Sequence, residues 1–430
     1  MADRPGAGSS AVTTRTCLRA TAATVTAALL GAGVLAGCGQ NNNAGSNIGS
    51  SNTAPTNDLT VYSSLPLQGG GHNRSVQIID GEKLALQEAR GRVGKFRVGY
   101  VSLDDADPTT GGWTPGQASA NAKTAAADKT TIAYLGDWDS GATAVSLPII
   151  NGANVLQISP ASPYVGLTQA SPVAGKGEPE RYYPLGRRTF GRLTPSDQVQ
   201  AQAALAYLKA KHVSKLFIVR DREVFDADVG ALVGLQAPTA GVRVVNDVDL
   251  SANPSDDASL AQQVASSGAG AVLYAGAASP RAAQLLRAVH AAAPAVKLFC
   301  PYFVAEPDFL AQLGPAQRAV YVTSPALMFD PTRPGVPRFA AAYRAAFGAT
   351  PGPYALLGYE SMRLVLDLIR QARSHGNDRQ SVVNRFFAVR NRPSLIGPYS
   401  IRPDGDTTFS RYGGSRVRSN RLVFDRLLIR

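Results

Sequence analysis

Two successive doubly wound α/β units are what this sequence predicts, and three observations carry the prediction. Short apolar runs alternate with helical patterns twice, first across Leu59–Ile158 and again across Asp197–Phe299. The two series are separated by Tyr164–Arg188, which is rich in proline, glycine and charge and has no periodicity. The chain has 430 residues, 44% of them hydrophobic, which exceeds one typical domain and allows a real core, so a wholly disordered chain is ruled out. Alternation of this kind means parallel strands covered by helices.

The N-terminal segment reads as an address. Arg4, Arg15 and Arg19 form a positive region, and Ala20–Val34 is an uncharged apolar run, too short for a membrane span and suited to a signal sequence. Leu35-Ala36-Gly37-Cys38 then looks like a bacterial lipobox. Residues 1–37 are therefore expected to be removed, leaving Cys38 as a lipidated N-terminus anchored to the outer face of the bacterial cell membrane. Residues 38–57, rich in Asn, Ser and Gly, read as a flexible tether. Gly31-Ala32-Gly33-Val34-Leu35-Ala36 matches a dinucleotide-binding fingerprint, but no strand precedes it, and it lies inside the signal.

The elements follow in order. Leu59–Leu65 reads as a strand ended by Pro66 and Gly69-Gly70-Gly71, Val76–Ala89 as a helix, and Phe96–Leu103 as a strand stopped by Asp104-Asp105. Gln117–Ala127 is helical, Thr131–Leu135 a strand, Val145–Ile150 a helix and Val155–Ile158 a strand ending at Ser159-Pro160. The second series gives helices at Asp197–Leu208, Asp226–Leu235, Leu260–Ala265 and Pro280–Ala291, with strands at Leu216–Val219, Val242–Val248, Ala271–Tyr274 and Val296–Phe299. Pro337–Phe347 and Tyr354–Ala372 are two further helices, and Pro398–Arg430 reads as short extended segments with turns. Ligands of open parallel sheets sit beyond the carboxyl ends of the strands. The loops to watch are therefore Pro66–Asn73, Asp104–Pro115, Gly136–Thr143, Ser159–Tyr164, Asp221–Phe225, Gly276–Pro280 and Cys300–Phe303.

Composition excludes several classes. The formal charge is +12, and removing Met1–Gly37 takes away three arginines and Asp3, leaving +10. No Lys/Arg run is interleaved with aromatics, so the charge speaks for attraction to an anionic envelope surface and not for nucleic acid. Of the three cysteines, Cys17 falls in the signal and Cys38 in the lipobox, so Cys300 has no partner and there is no disulfide framework. The four histidines, His72, His212, His290 and His375, share no metal-ligand spacing. There is no Gly-x-Ser-x-Gly elbow and no His-Glu-x-x-His, and Gly175-Lys176-Gly177 is not a phosphate loop. The expectation is a protein that is not an enzyme and needs no cofactor or metal.

A set of motifs gives a more specific direction. In order they are Asp104-Asp105 with Asp107-Pro108, Gly136, Ser140-Gly141-Ala142-Thr143, Pro148-Ile149, Ile158-Ser159-Pro160-Ala161, Leu167-Thr168 and Phe190-Gly191-Arg192 leading to Asp197-Gln198. Late in the chain come Phe339-Ala340-Ala341-Ala342-Tyr343, Phe347-Gly348, Pro351, Tyr354-Ala355 and Tyr359. Across Leu59–Arg430 this resembles the substrate-binding proteins of branched-chain amino acid ABC transporters. The resemblance implies a type I periplasmic-binding fold, with two Rossmann-like lobes joined by three hinge crossings near Arg192-Leu193, Thr323-Ser324 and Ile396-Gly397. One lobe would comprise 58–192 and 324–396, the other 193–323 and 397–430. It implies a small polar ligand, an amino acid or related carboxylate or amide, captured in the interlobe cleft by hinge closure and delivered to an ABC permease and ATPase.

The resemblance also places the ligand contacts. Ser140, Gly141 and Thr143 match the loop that meets the ligand carboxylate, at a helix N-terminus whose amides favour an anion. Ser140 is equally suited to capping that helix. Ala161 matches the next loop. There the family's threonine position is Pro163, so Ser162 would donate the hydroxyl. In the second lobe Ala277 lies in the loop after a strand, Phe225 stands where a tyrosine is common, and Tyr302 stands where an acid holds the ligand ammonium. With Trp138, these aromatics suit a planar ligand with no obligatory ammonium. Glu306 and Asp308 are nearby but suit the start of the following helix. The rival reading is a ligand-sensing lipoprotein that reports to a membrane receptor, since a fold does not fix a function.

Overall fold

The computed structural model describes residues 56–221, 224–304, 307–325 and 330–429. The address and nearly all of the tether, Cys38 included, lie outside the described residues. None of the described helices is long and apolar enough to cross a membrane.

The first unit opens with β1 (Asp58–Leu65), α1 (His72–Glu88), β2 (Arg92–Val93), β3 (Phe96–Asp104) and α2 (Pro115–Ala127). It continues with β4 (Thr131–Gly136), α3 (Ser140–Gly152), β5 (Leu156–Ser159) and β6 (Phe190–Arg192). Its sheet has the order β2-β3-β1-β4-β5-β6, parallel apart from the short antiparallel β2. Thr114 starts α2 by accepting a hydrogen bond on its side chain from the Gln117 amide, with Pro115 in the first turn.

The second unit runs α4 (Asp197–Ala210), β7 (Lys215–Arg220), α5 (Val224–Gln236), β8 (Arg243–Asp249), α6 (Asp257–Ser266) and β9 (Ala271–Ala275). It goes on with α7 (Pro280–Ala292), β10 (Lys297–Pro301), α8 (Pro307–Gln312) and β11 (Val320–Ser324). The chain then returns to the first unit for α9 (Val336–Phe347), α10 (Pro353–Ala372) and α11 (Arg379–Phe387), and ends with β12 (Tyr412–Arg418) and β13 (Arg421–Ile429). The second sheet has the order β13-β12-β11-β10-β9-β7-β8, with the last two strands in sequence antiparallel. Ser279 caps α7 by accepting from the Ala282 amide, again with a proline following.

One apolar core joins β1, β3, β4 and β5 to α1, α9, α10 and α11. The second sheet has a core on each face. The stretch 397–409, expected with the second lobe, puts Tyr399, Ile401 and Phe409 into the first core instead. Those residues follow the apolar surface left by α10 and α11, and the chain joins the second sheet only at β12. Helices α1 and α10 touch backbone to backbone. A Cβ on Gly81 would lie 2.0 Å from the Ala355 carbonyl oxygen, and one on Gly358 2.0 Å from that of Ile78.

A buried arginine marks the first crossing between the units. Arg192 is fully buried, and its Nε pairs with Asp406 Oδ1 at 2.7 Å. Its Nη1 donates to the carbonyls of Ser162 and Tyr164 at 2.9 and 2.7 Å. This ties the crossing, the loop after β5 and the segment before β12 into one cluster.

Candidate functional site

In the first sheet the chain steps from β1 outward to β3, then back across β1 to β4. In the second it steps from β7 to β8, then back to β9. At such reversals the loops leave in opposite directions and open a crevice. The loops after β1, β4 and β9 therefore meet in one cleft.

A cavity of about 400 Å³ occupies this place. Gly70, Arg74, Gly112 and Asp139 line it from the first unit, and Ser279, Asp308 and Gln312 from the second. Arg74 sits in the first turn of α1 with its guanidinium 4.7 Å from the centre of the Trp138 ring. Asp139 stands at the N-terminus of α3, half-buried. The cavity thus has a cation and an acid from one unit and a second acid from the other.

The expected hydroxyl loops are present beside this cavity but are engaged with the protein. Thr143 and Ser162 share a 2.7 Å hydrogen bond between their hydroxyls, both fully buried. Ser162 Oγ also donates to the Asp137 carbonyl at 3.0 Å, and Ser159 Oγ donates to the same oxygen at 2.6 Å. Ser140 Oγ accepts from the Tyr164 amide. Gly141 and Ala161 are buried. None of these five predicted residues, Ser140, Gly141, Thr143, Ala161 or Ser162, lines the cavity.

Trp138 is buried in an apolar cluster with Leu65, Ile78, Ile79 and Ala161, its edge against Tyr354. Tyr302 reaches across from the second unit, and its hydroxyl donates to the Ala161 carbonyl at 3.3 Å. Ala277 is half-buried in the loop after β9, its amide donating to Asp221 Oδ2 at 2.7 Å and its carbonyl accepting from Tyr274. Phe225 falls in the first turn of α5, and its side chain lies outside the described residues.

Sequence reasoning missed two groups. The loop singled out after β1 stopped at Asn73, one residue short of Arg74. Asp139 lay inside a loop of interest but carries no motif of its own. Asp308 was expected to start a helix; it does so in α8 and lines the cavity as well.

Acids lie deeper in the first unit. Burial raises the carboxyls of Asp105 and Asp137, and neighbouring Asp139 pushes both in the same direction. Tyr134 and Ser146 donate to Asp137 and oppose that rise. Under α1, burial pushes Glu82 up to about 8 against the hydrogen bonds it receives from Tyr100 and Ser63. Among the described residues no cluster of His, Cys, Asp and Glu could hold a metal.

Two α/β units facing each other across a polar cleft define a two-lobed ligand-binding protein with the type I periplasmic-binding fold. The chain belongs to the periplasmic binding protein family, whose sequence model matches residues 64–417. No curated protein sequence matches it significantly. Among solved structures, the leucine-binding protein LivK of Thermotoga maritima is 19% identical with a TM-score of 0.71, covering 86% of this chain and 98% of its own. LivJ of Streptococcus pneumoniae, in complex with isoleucine, is 18% identical with a TM-score of 0.67, covering 86% and 100%. A solute-binding protein of an ABC transporter from R. palustris, in complex with benzoate, is 17% identical with a TM-score of 0.69, covering 86% and 96%.

Proposed function

We propose that this protein is an extracytoplasmic, lipid-anchored solute-binding protein, not an enzyme, that closes its two lobes on a small polar ligand and hands it to an ABC importer. The observation that carries the reading is the 400 Å³ cavity, with Arg74 and Asp139 on one side and Asp308 on the other. A ligand carboxylate pairs with Arg74, which is held over Trp138. The dipole of α3 is a poorer anion site than the resemblance implied, because Asp139 stands at its N-terminus and like charges repel. The acid absent from position 302 is replaced by Asp139 or Asp308, which suit an ammonium. An amino acid, with both groups, fits this set better than a simple anion. Binding proteins of this fold include partners for leucine, for isoleucine and for benzoate, so the head group is what needs deciding.

Thermal shift against amino acids, aromatic acids and amides tests this, because a ligand of the folded state raises the melting temperature. Amino acids should give the largest shifts, with Arg74→Gln and Asp139→Asn each reducing them by at least half. Equal shifts in both variants and the parent would exclude this cavity as the site. Cys38→Ala should move the protein from membranes to the soluble fraction, and retention on membranes after washing would remove the anchor from the proposal.

A further inference from the structure

A second cavity, of about 660 Å³, shares the Asn73 and Arg74 wall with the polar one. It also lies between the two units. Val76, Tyr343, Tyr354 and Leu357 line it from the first, and Leu310, Leu422 and Tyr302 from the second. Leu357, Leu310 and Tyr343 are buried there and Val76 and Leu422 half-buried. Asp80, Gln77 and Arg421 also face the second chamber, but aliphatic and aromatic side chains make up most of its wall, whereas the first chamber carries mainly polar side chains and glycine backbone.

We infer that the second chamber receives the apolar body of the ligand whose head group sits at Arg74. The inference rests on the proposed head-group site and adds the substrate class, an amphiphilic amino acid with a side chain longer than that of leucine. Two arguments support it. Both chambers are lined by the residue that would hold the carboxylate, so a head group at Arg74 is adjacent to the apolar one. Their volumes also fall in the range of pockets that enclose drug-sized ligands, roughly 300–1,000 Å³ each, whereas an aliphatic amino acid needs only the smaller. An apolar tail leaving water for this lining is favourable in proportion to the area it buries.

Calorimetric titration with three probes, leucine, 2-aminodecanoate and decanoate, tests this on the full mature chain. 2-Aminodecanoate should bind at least tenfold more tightly than leucine. Val76→Trp and Leu422→Trp fill the chamber from opposite units, and each should abolish that advantage while leaving leucine within twofold of the parent. Using both guards against one variant failing to fold, which the leucine titration and the melting temperature reveal. Tight binding of decanoate, lost in both variants, would keep the chamber and overturn the amino-acid head group. Equal affinity for leucine and 2-aminodecanoate, an advantage that survives both tryptophans, or no binding of any probe would overturn the chamber.

Discussion

The cleft-facing loops of the two units are built differently. In the first, Ser159, Ser162, Thr143 and Ser140 bond to one another's loops and to the Asp137 backbone, and Arg192 holds two carbonyls of the same region from below. In the second, the loop after β9 is clasped by Asp221 and Tyr274 on the two sides of Ala277, with no comparable network of hydroxyls among the described residues. The outer edge of the second sheet also leaves Phe424 of β13 57% exposed. A loop whose polar atoms are satisfied within itself is stiff, and it presents backbone and packing instead of free hydroxyls. A loop held by fewer bonds can adapt more readily. On the proposed function, the first unit would supply the rigid wall of the ligand site and the second the adaptable one.

This contrast can be broken most decisively at Arg192. Arg192→Met leaves the Asp406 carboxylate and two carbonyls buried without their partner, and breaking a buried pair this way costs about 3–5 kcal/mol. Urea denaturation should show that loss. A cost under about 1 kcal/mol would mean that the first-unit loops do not depend on this residue.

The next largest effect is one of pH. The unfolded value of Glu82 is 4.5 and its folded value about 8, so between these the native state keeps a proton that the unfolded chain has released. Stability should therefore fall as pH rises from 5 to 8, by on the order of 3 kcal/mol from this group. Glu82→Gln should remove that part of the slope, leaving stability near the parent's at pH 5 and above it at pH 8. Parallel slopes for parent and variant would show that Glu82 is already ionised in the fold.

The smallest effect compares the loops directly. Ser162→Ala removes a fully buried hydroxyl with several partners and should cost about 1–2 kcal/mol. Asp221→Ala frees a half-buried amide that water can reach and should cost less than about 1 kcal/mol. Equal costs in chemical denaturation would erase the distinction between stiff and adaptable loops.

Much of this architecture was legible in the sequence. Strands such as Thr131–Gly136 and Ala271–Ala275 are short, wholly buried apolar runs, and Thr114-Pro115 and Ser279-Pro280 announce the helices after them. The strand Phe190–Arg192 was hidden because three residues show no alternation, and α11 because its apolar residues are interrupted by Arg379, Gln380, Asn384 and Arg385. The site was legible as a set of loops but not as a set of contacts. A serine or threonine in a cleft loop can face the ligand or the loop itself, and only the fold decides between them, as it does for Ser162. Arg74 could not be found by motif, because only the fold brings the first turn of α1 to the cavity.

The glycines at the crossing of α1 and α10 have a consequence for the placement of that arginine. With the backbones in contact at Gly81 and Gly358, neither position accepts even alanine unless the helices separate, and α1 carries Arg74 in its first turn. On the proposed function, a change of side chain at position 74 could alter the ligand while the helix crossing keeps that position where it is. The two glycines would thus fix where a recognition residue stands, and leave open only which side chain stands there.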